Sequence, residues 1–243
     1  MNVFWEREIK VTWDNTDKSG NLSLPGMGQL LINTAEEHAE ALGFGYRQLK
    51  HQNMNWVLVT MNFEINRFPV WDEKIKLITW PSGVKSILGL REFIIKDEQN
   101  NNLVKASSEW MIIDLERRRP KRLSQFEGIL QYANTEKVLE KEPLKANAEG
   151  LFTDLFKIKI RHSSLDFNGH ATAKKYFDWI NDAMYQAHGD KEIERFQVKF
   201  FNESYLDETI ILQIDDKQTS FRGIKENGKI AFMAAVDFKD KNK

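Results

Sequence analysis

Cysteine is absent from all 243 residues. That removes disulfides, thiolate metal ligands and a cysteine nucleophile at once. It fits a reducing compartment, and a cytoplasmic protein is expected. An excess of charge of one sign is also lacking: the net charge is -1. A wholly basic nucleic-acid binder is therefore excluded, and any electrostatic docking site has to be local. Long apolar runs are missing too. No window approaches the roughly 18 apolar residues of a membrane span. Glu6, Arg7, Glu8 and Lys10 interrupt any apolar run near the start, so no signal peptide is read there. There is no G-x-S-x-G elbow, no H-E-x-x-H and no phosphate loop, and His51, His162 and His188 lack metal-ligand spacing. Serine-hydrolase, zinc and nucleotide chemistry are disfavoured, and neither a metal nor a resident cofactor is expected.

What is present is the make-up of a globular protein. Hydrophobic residues form 41% of the chain and charged residues 29%, with 16 Phe and 7 Trp. The segment from Val3 to Trp13 alternates as a strand, followed by a polar turn over 14–21. A helix starts near Pro25, a favoured first helical residue, and its apolar stripe includes Met27, Leu31, Ala35 and His38. Gly43 suits its end. Strands are predicted at Trp56–Ile65, Lys74–Trp80, Ile87–Lys96 and Leu103–Leu115. A polar, charged stretch begins near Ser124 and contains Pro143.

The order then repeats. A strand over Leu151–Arg161 precedes a polar turn over 164–170 and a helix over Ala173–His188 that Gly189 can cap. Strands follow at Gln197–Tyr205, Thr209–Asp215, Ser220–Lys225 and Lys229–Phe238. The turns align, Asp17-Lys18-Ser19-Gly20-Asn21 with Asp166-Phe167-Asn168-Gly169-His170. So do two later segments, 68–73 and 203–208, which end in Asp72-Glu73 and Asp207-Glu208. Each half thus reads strand, turn, long helix and an antiparallel set of strands. This predicts an α+β protein with a tandem (double) hotdog fold, each half a long helix on a curved antiparallel sheet. The expected division is 1–128 for the first half, 129–150 for a linker and 151–243 for the second half.

The halves differ where chemistry would sit. Asn168, His170 and Glu203 stand where the first half has Ser19, Asn21 and Phe68, and only the Asp is shared. The full polar set therefore belongs to the second half, and the first half is expected to shape a pocket. In an extended segment Asp166, Asn168 and His170 would point the same way. The N–H groups near Gly169 and the following helix start suit an oxyanion. The same residues are also ordinary turn and capping chemistry. Trp56, Trp71, Trp80 and Trp110 read as structure. The densest basic run holds Arg117, Arg118, Arg119, Lys121 and Arg122. It is either a solvated face or a dock for an acidic partner.

These residues resemble a known family, the acyl-acyl carrier protein thioesterases of plants and bacteria. The resemblance runs over 4–238. It rests on the helix segment 31–39, on Trp56–Met61, on Asn66–Asp72 and on Ala106-Ser107-Ser108-Glu109-Trp110 leading to Arg117-Arg118-Arg119. In the second half it rests on Asp166, Asn168 and His170, which match the family's Asp-x-Asn-x-His motif, and on Tyr176, Asn202, Glu203 and Ser204. The resemblance implies a hydrolase that releases free fatty acid from the carrier protein and so terminates fatty acid synthesis. Its implied catalytic set is Asp166, Asn168, His170 and Glu203, with Gly169 at the oxyanion. The acyl carrier protein would be the partner, and the phosphopantetheine would come with the substrate. Two departures stand out. Ser204 occupies a position where plant members often carry Cys, so activity here would need no thiol. Ala171-Thr172-Ala173 replaces a Val-Asn-Asn stretch. No plastid transit segment is read ahead of the domain, which points to a bacterial-type enzyme. Glu203 and Asp166 both stay open as base or nucleophile. Acyl-CoA hydrolysis, a non-catalytic acyl-binding role and hydratase chemistry are the alternatives. Pairing of two copies through sheet edges stays open as well.

Overall fold

A computed structural model describes residues 3–126 and 130–239. The chain forms two compact units, 1–141 and 142–243. The sequence-predicted boundary at 128/129 lies outside the described residues.

The first unit contains strand β1 (Trp5–Lys10), helices α1 (Leu24–Ala41) and α2 (Tyr46–Lys50), then strands β2 (Met54–Ile65), β3 (Lys74–Lys85), β4 (Leu88–Lys96) and β5 (Asn102–Asp114). A two-residue strand, β6 (Arg119–Pro120), pairs with the end of β5. The antiparallel order is β1-β3-β4-β5-β2. Helix α1 starts where its sequence says it should. Ser23 Oγ accepts from the Gly26 N–H at 3.1 Å, and Pro25 lies in the first turn. The helix buries Met27, Leu31, Thr34, Ala35 and His38. These meet a sheet whose inward residues include Met61, Phe63, Leu77, Trp80 and Phe93, all at most 2% exposed. Each such side chain removed from water contributes about 1.5–3 kcal/mol.

Several expectations need adjusting. β1 stops at Lys10, because residues 13–15 form a 3-10 turn rather than more strand. α2 had no apolar period long enough to announce a helix of five residues. β3 continues past Pro81 to Lys85, since a bulge between Pro81 and Gly83 absorbs the missing N–H. His38 is fully buried, stacked on Trp5 with 5.5 Å between ring centres and 3.1 Å from Arg91 Nη1 through its Nδ1. Burial lowers the Arg91 guanidinium to about 10. Trp71 is exposed, whereas Trp80 is core.

The second unit contains β7 (Phe152–Lys159), α3 (Ala173–His188), β8 (Ile193–Phe200), β9 (Thr209–Asp215), β10 (Ser220–Lys225) and β11 (Ile230–Phe238). Its antiparallel order is β8-β11-β10-β9-β7. Thr172 caps α3, accepting from the Lys175 N–H. The helix buries Tyr176, Phe177, Ile180 and Ala183. Tyr176 packs edge-on against Phe200 and Phe232, each at 5.5 Å between ring centres. Each unit is thus a long helix on an antiparallel sheet, the hotdog fold.

The stretch between the halves is docked rather than loose. Lys137 Nζ reaches the buried Glu92 at 3.0 Å and Ser82 at 2.8 Å. The Trp80 indole donates to the Glu136 carbonyl, and Glu64 accepts from the Glu140 and Lys141 N–H groups. Further along, the Asn147 N–H donates to Ser220 Oγ within the second unit.

Candidate active site

The residues nominated in the second half lie on a turn and a corner that meet. Residues 166–170 form a tight turn, not the extended stretch that alternation suggested. Asp166 Oδ1 closes it, accepting from the Asn168 N–H at 2.8 Å and the His170 N–H at 3.1 Å. The Asp166 N–H donates to the His170 carbonyl, and Gly169 takes φ +79°, which glycine adopts without strain.

The corner is residues 201–208. β8 ends at Phe200, so Glu203 sits beyond the strand that was predicted to reach it. The Phe201 and Asn202 N–H groups both donate to the Ala231 carbonyl, which ends the regular ladder and turns the chain. The corner is stitched to the turn by the Ala171 N–H donating to the Ser204 carbonyl at 2.8 Å, and by a bridge between His170 and Tyr205.

This places His170 Nε2 at 3.5 Å from Glu203 Oε2. That is long for a hydrogen bond, as resting sites often are. Both side chains are partly buried, 17% and 26% exposed. The same Oε2 accepts from the Tyr205 hydroxyl at 3.0 Å, and Tyr205 stands edge-on to the His170 ring, 5.0 Å between centres. Lys225 Nζ, buried at the end of β10, donates to the Glu203 carbonyl and pairs with Glu208 Oε2 at 2.8 Å. Burial alone would raise the Glu208 pKa. The Lys225 ammonium and the Tyr205 N–H outweigh it, and the carboxyl sits below its usual range.

Asp166, Asn168, His170 and Glu203 thus lie on the two segments that meet here. Gly169 does not serve as sequence suggested. Its N–H donates to the Asp166 carbonyl at 3.0 Å, so it is spent inside the turn. The N–H groups of 168, 170, 171 and 172 are likewise engaged. The start of α3 is left as the backbone source of donors. Ser204 is fully buried beside Tyr176, whose phenol is pushed up to about 12 by burial, with Ser204 opposing that rise. A fully buried hydroxyl is unsuited to act as nucleophile. Tyr205, Lys225 and Glu208 were not nominated. Glu208 belongs to the repeated Asp-Glu pair and Tyr205 stands three residues before Glu208, signals that do not distinguish a network from a surface, and Lys225, two strands on, carries no such signal.

The first unit builds the same frame without the reactive groups. Asp17 Oδ1 accepts from the Ser19 and Asn21 N–H groups at 2.8 and 3.0 Å, and Gly20 has φ +79°. The Leu22 N–H donates to the Pro69 carbonyl as Ala171 does to Ser204, and Val70 N–H is held by Glu73 as Tyr205 N–H is by Glu208. Asn21 bridges Val70 where His170 bridges Tyr205.

Of the basic run, Arg117, Arg118, Arg119 and Arg122 are exposed on the first unit, around the β5–β6 turn. Lys121 is different: its Nζ pairs with Asp114 at 3.0 Å. The Arg117 N–H, then Lys121, hold the Asp114 carboxyl below its usual range.

Comparison with known proteins now decides the family. The N-terminal domain model of acyl-ACP thioesterases matches residues 2–126, and the C-terminal domain model matches 152–240. The chain belongs to the acyl-ACP thioesterase family. The two matches contain both turns and both corners. Among curated relatives, a chloroplastic palmitoyl-acyl carrier protein thioesterase of Arabidopsis thaliana is 27% identical over 57% of this chain and 35% of its own length. A chloroplastic acyl-[acyl-carrier-protein] hydrolase of Cuphea viscosissima is 27% identical over 63% of this chain and 40% of its own. The chain therefore spans less than half the length of these two relatives. Among solved structures, an acyl-ACP thioesterase from Bacteroides thetaiotaomicron superposes with TM-score 0.84, 24% identity and coverage of 97% of this chain and 98% of that one. The 12:0-ACP thioesterase from Umbellularia californica gives 0.82, 17%, and 99% of each chain. At these identities the superpositions establish the fold. Among the described residues no helix is long and apolar enough to cross a membrane.

Proposed function

We propose that this protein hydrolyses the thioester of fatty acyl-acyl carrier protein, giving free fatty acid and the holo carrier protein, and so terminates fatty acid synthesis. The observation that carries the reading is the meeting of His170 Nε2 and Glu203 Oε2 at 3.5 Å on a braced corner whose twin holds Asn21 and Phe68. Family membership supplies the substrate class.

In this reading Glu203, with His170, takes a proton from a water that attacks the thioester carbonyl carbon. The Asn168 amide, half-buried and on the same turn, orients the water or the carbonyl. Asp166 acts through the turn: both backbone hydrogen bonds it accepts recur at Asp17, in a unit without the other groups. That recurrence favours Glu203 over Asp166 as the base. The oxyanion is met by the start of α3. Its collapse breaks the C–S bond, and the thiolate leaves with the proton held at the site. The phosphopantetheine arm belongs to the substrate, and the step asks for no resident cofactor. The first unit supplies the acyl pocket. Arg117, Arg118, Arg119 and Arg122 receive the acidic carrier protein, with Lys121 beside them already paired to Asp114. The reading places the enzyme in the cytoplasm.

The test is a panel of acyl-carrier-protein thioesters, with free fatty acid measured by mass spectrometry. Release that disappears in Glu203→Gln and His170→Ala supports the reading. Acyl-CoA cleaved in preference to every carrier-protein thioester would replace the substrate, and no release from either would leave an acyl-binding role.

A further inference from the structure

Tyr205 lies at the centre of the corner, and the reaction as derived above gives it no part. Three contacts converge on it. Its hydroxyl donates to Glu203 Oε2 at 3.0 Å, the oxygen that also faces His170 Nε2 at 3.5 Å. Its ring edge meets the His170 ring. Lys225 Nζ lies 5.5 Å from its ring centre while donating to the Glu203 carbonyl. One residue thus ties down the carboxylate, abuts the imidazole, and is itself braced by the cation that fixes the Glu203 backbone.

The first unit shows that this is not a requirement of the fold. Val70 takes the place of Tyr205 in the same corner, with its N–H held by Glu73 in the same way. The charges are also rearranged. In the first unit the corner Glu73 pairs with Arg67 at 2.7 Å, and Arg67 lies 3.8 Å from Asp97 in the β4–β5 hairpin. In the second unit Asn202 replaces Arg67, and the position matching Asp97 in the β10–β11 hairpin is Lys225. The cation has moved to the side of the corner from which it reaches the Glu203 carbonyl. A corner that merely had to fold could have kept the first arrangement.

We propose that Tyr205 is a positioning residue for the reaction: its hydroxyl, braced by Lys225, holds the Glu203 carboxylate ionised and aimed at His170. This rests on the reading of Glu203 as the base. A hydroxyl donated to a carboxylate stabilises the charged form. It also removes the rotation that would let Glu203 swing away from the imidazole. The charged and titratable groups around Glu203 are His170 from the turn, Tyr205 in the corner, and Lys225 from β10 with its partner Glu208. Asp166 closes the turn, and Tyr176 of α3 lies beside Ser204.

The test is Tyr205→Phe in the full chain. The ring is retained, and the side chain is 44% exposed, so the core is not disturbed. Two readouts are taken. The first is a carbon-13 carboxyl NMR titration of Glu203, assigned by its disappearance in Glu203→Gln; it needs no substrate. The midpoint is expected to rise in Tyr205→Phe. The second is the pH profile of acyl-carrier-protein hydrolysis. Here kcat is expected to fall about tenfold with KM little changed, and the acid limb to move to higher pH. An unchanged Glu203 midpoint overturns the proposal whatever the activity. A wild-type rate and acid limb in Tyr205→Phe, with Glu203→Gln inactive, overturns it while leaving Glu203 as the base. Loss of activity with an unmoved acid limb and an unmoved midpoint marks a purely structural role and also overturns it.

Discussion

The two corners of this protein share their hydrogen bonds and differ in what they carry. Each has an Asp closing a turn, a glycine at φ +79°, a backbone bond from turn to corner, and a Glu that holds the corner N–H. Into that frame the second unit sets Asn168, His170, Glu203 and Tyr205, where the first sets Ser19, Asn21, Phe68 and Val70. The shared residues therefore report what folding needs, and on the proposed reading the differing ones report what the reaction needs. The first corner is a built-in control for the second.

The largest effect that tests this contrast is at Glu203. Glu203→Gln is expected to lower kcat by about 10²–10⁴-fold, the usual worth of a general base. Phe68→Leu at the matching place should leave kcat within roughly threefold, because no proton moves there. Steady-state kinetics on one acyl-carrier-protein substrate compares the two, and equal losses would dissolve the distinction.

A smaller effect separates frame from chemistry at the shared Asp. Asp17→Ala and Asp166→Ala each remove an acceptor for two backbone N–H groups, at a cost of about 1–3 kcal/mol. Thermal unfolding should fall in both, and only Asp166→Ala should also lose kcat, through misplacement of His170. If Asp166 were itself the nucleophile, Asp166→Asn, which keeps an acceptor oxygen, would be as inactive as Asp166→Ala. A partly active Asp166→Asn is expected instead.

The sequence made the frame legible because it is written twice. The turn pattern and the Asp-Glu pair at 72–73 and 207–208 stand in register, and the helices announce themselves by period and cap. The four polar residues could be nominated because their counterparts are inert. The direction of backbone donors was not legible. Gly169 looks like an oxyanion donor on paper, yet its N–H is consumed by Asp166, and local sequence cannot say which partner wins. Tyr205 and Lys225 were hidden for another reason: the second is brought to the first by the pairing of β10 with β9, which sets Lys225 opposite Ile210 just past the corner, a contact between residues far apart in sequence. Lys121 shows the same limit, since one member of a basic run is diverted to Asp114.

Two further effects are smaller. Reversing Arg117 and Arg119 to Glu should raise KM for acyl-carrier-protein about tenfold at low salt and leave acyl-CoA cleavage unchanged. The difference should shrink as salt is added. A similar rise for acyl-CoA would move the effect from docking to the pocket. The smallest effect concerns acid stability at the first corner. The hydrogen bond from Arg67 holds Glu73 below its ordinary 4.5. A lowered carboxyl contributes stability above its unfolded pKa and loses it as the pH falls through the folded value. Arg67→Met should therefore be less stable than wild type at neutral pH, and the gap should narrow on acidification in denaturant titrations. A gap that widens in acid would reverse the assignment.

The most direct measurement is kcat for His170→Asn, which installs in the second corner the residue that the first already accepts at Asn21. The account predicts an unchanged unfolding temperature together with loss of about 10²-fold or more in kcat. Wild-type turnover in a folded His170→Asn protein would contradict the claim that this corner carries the reaction.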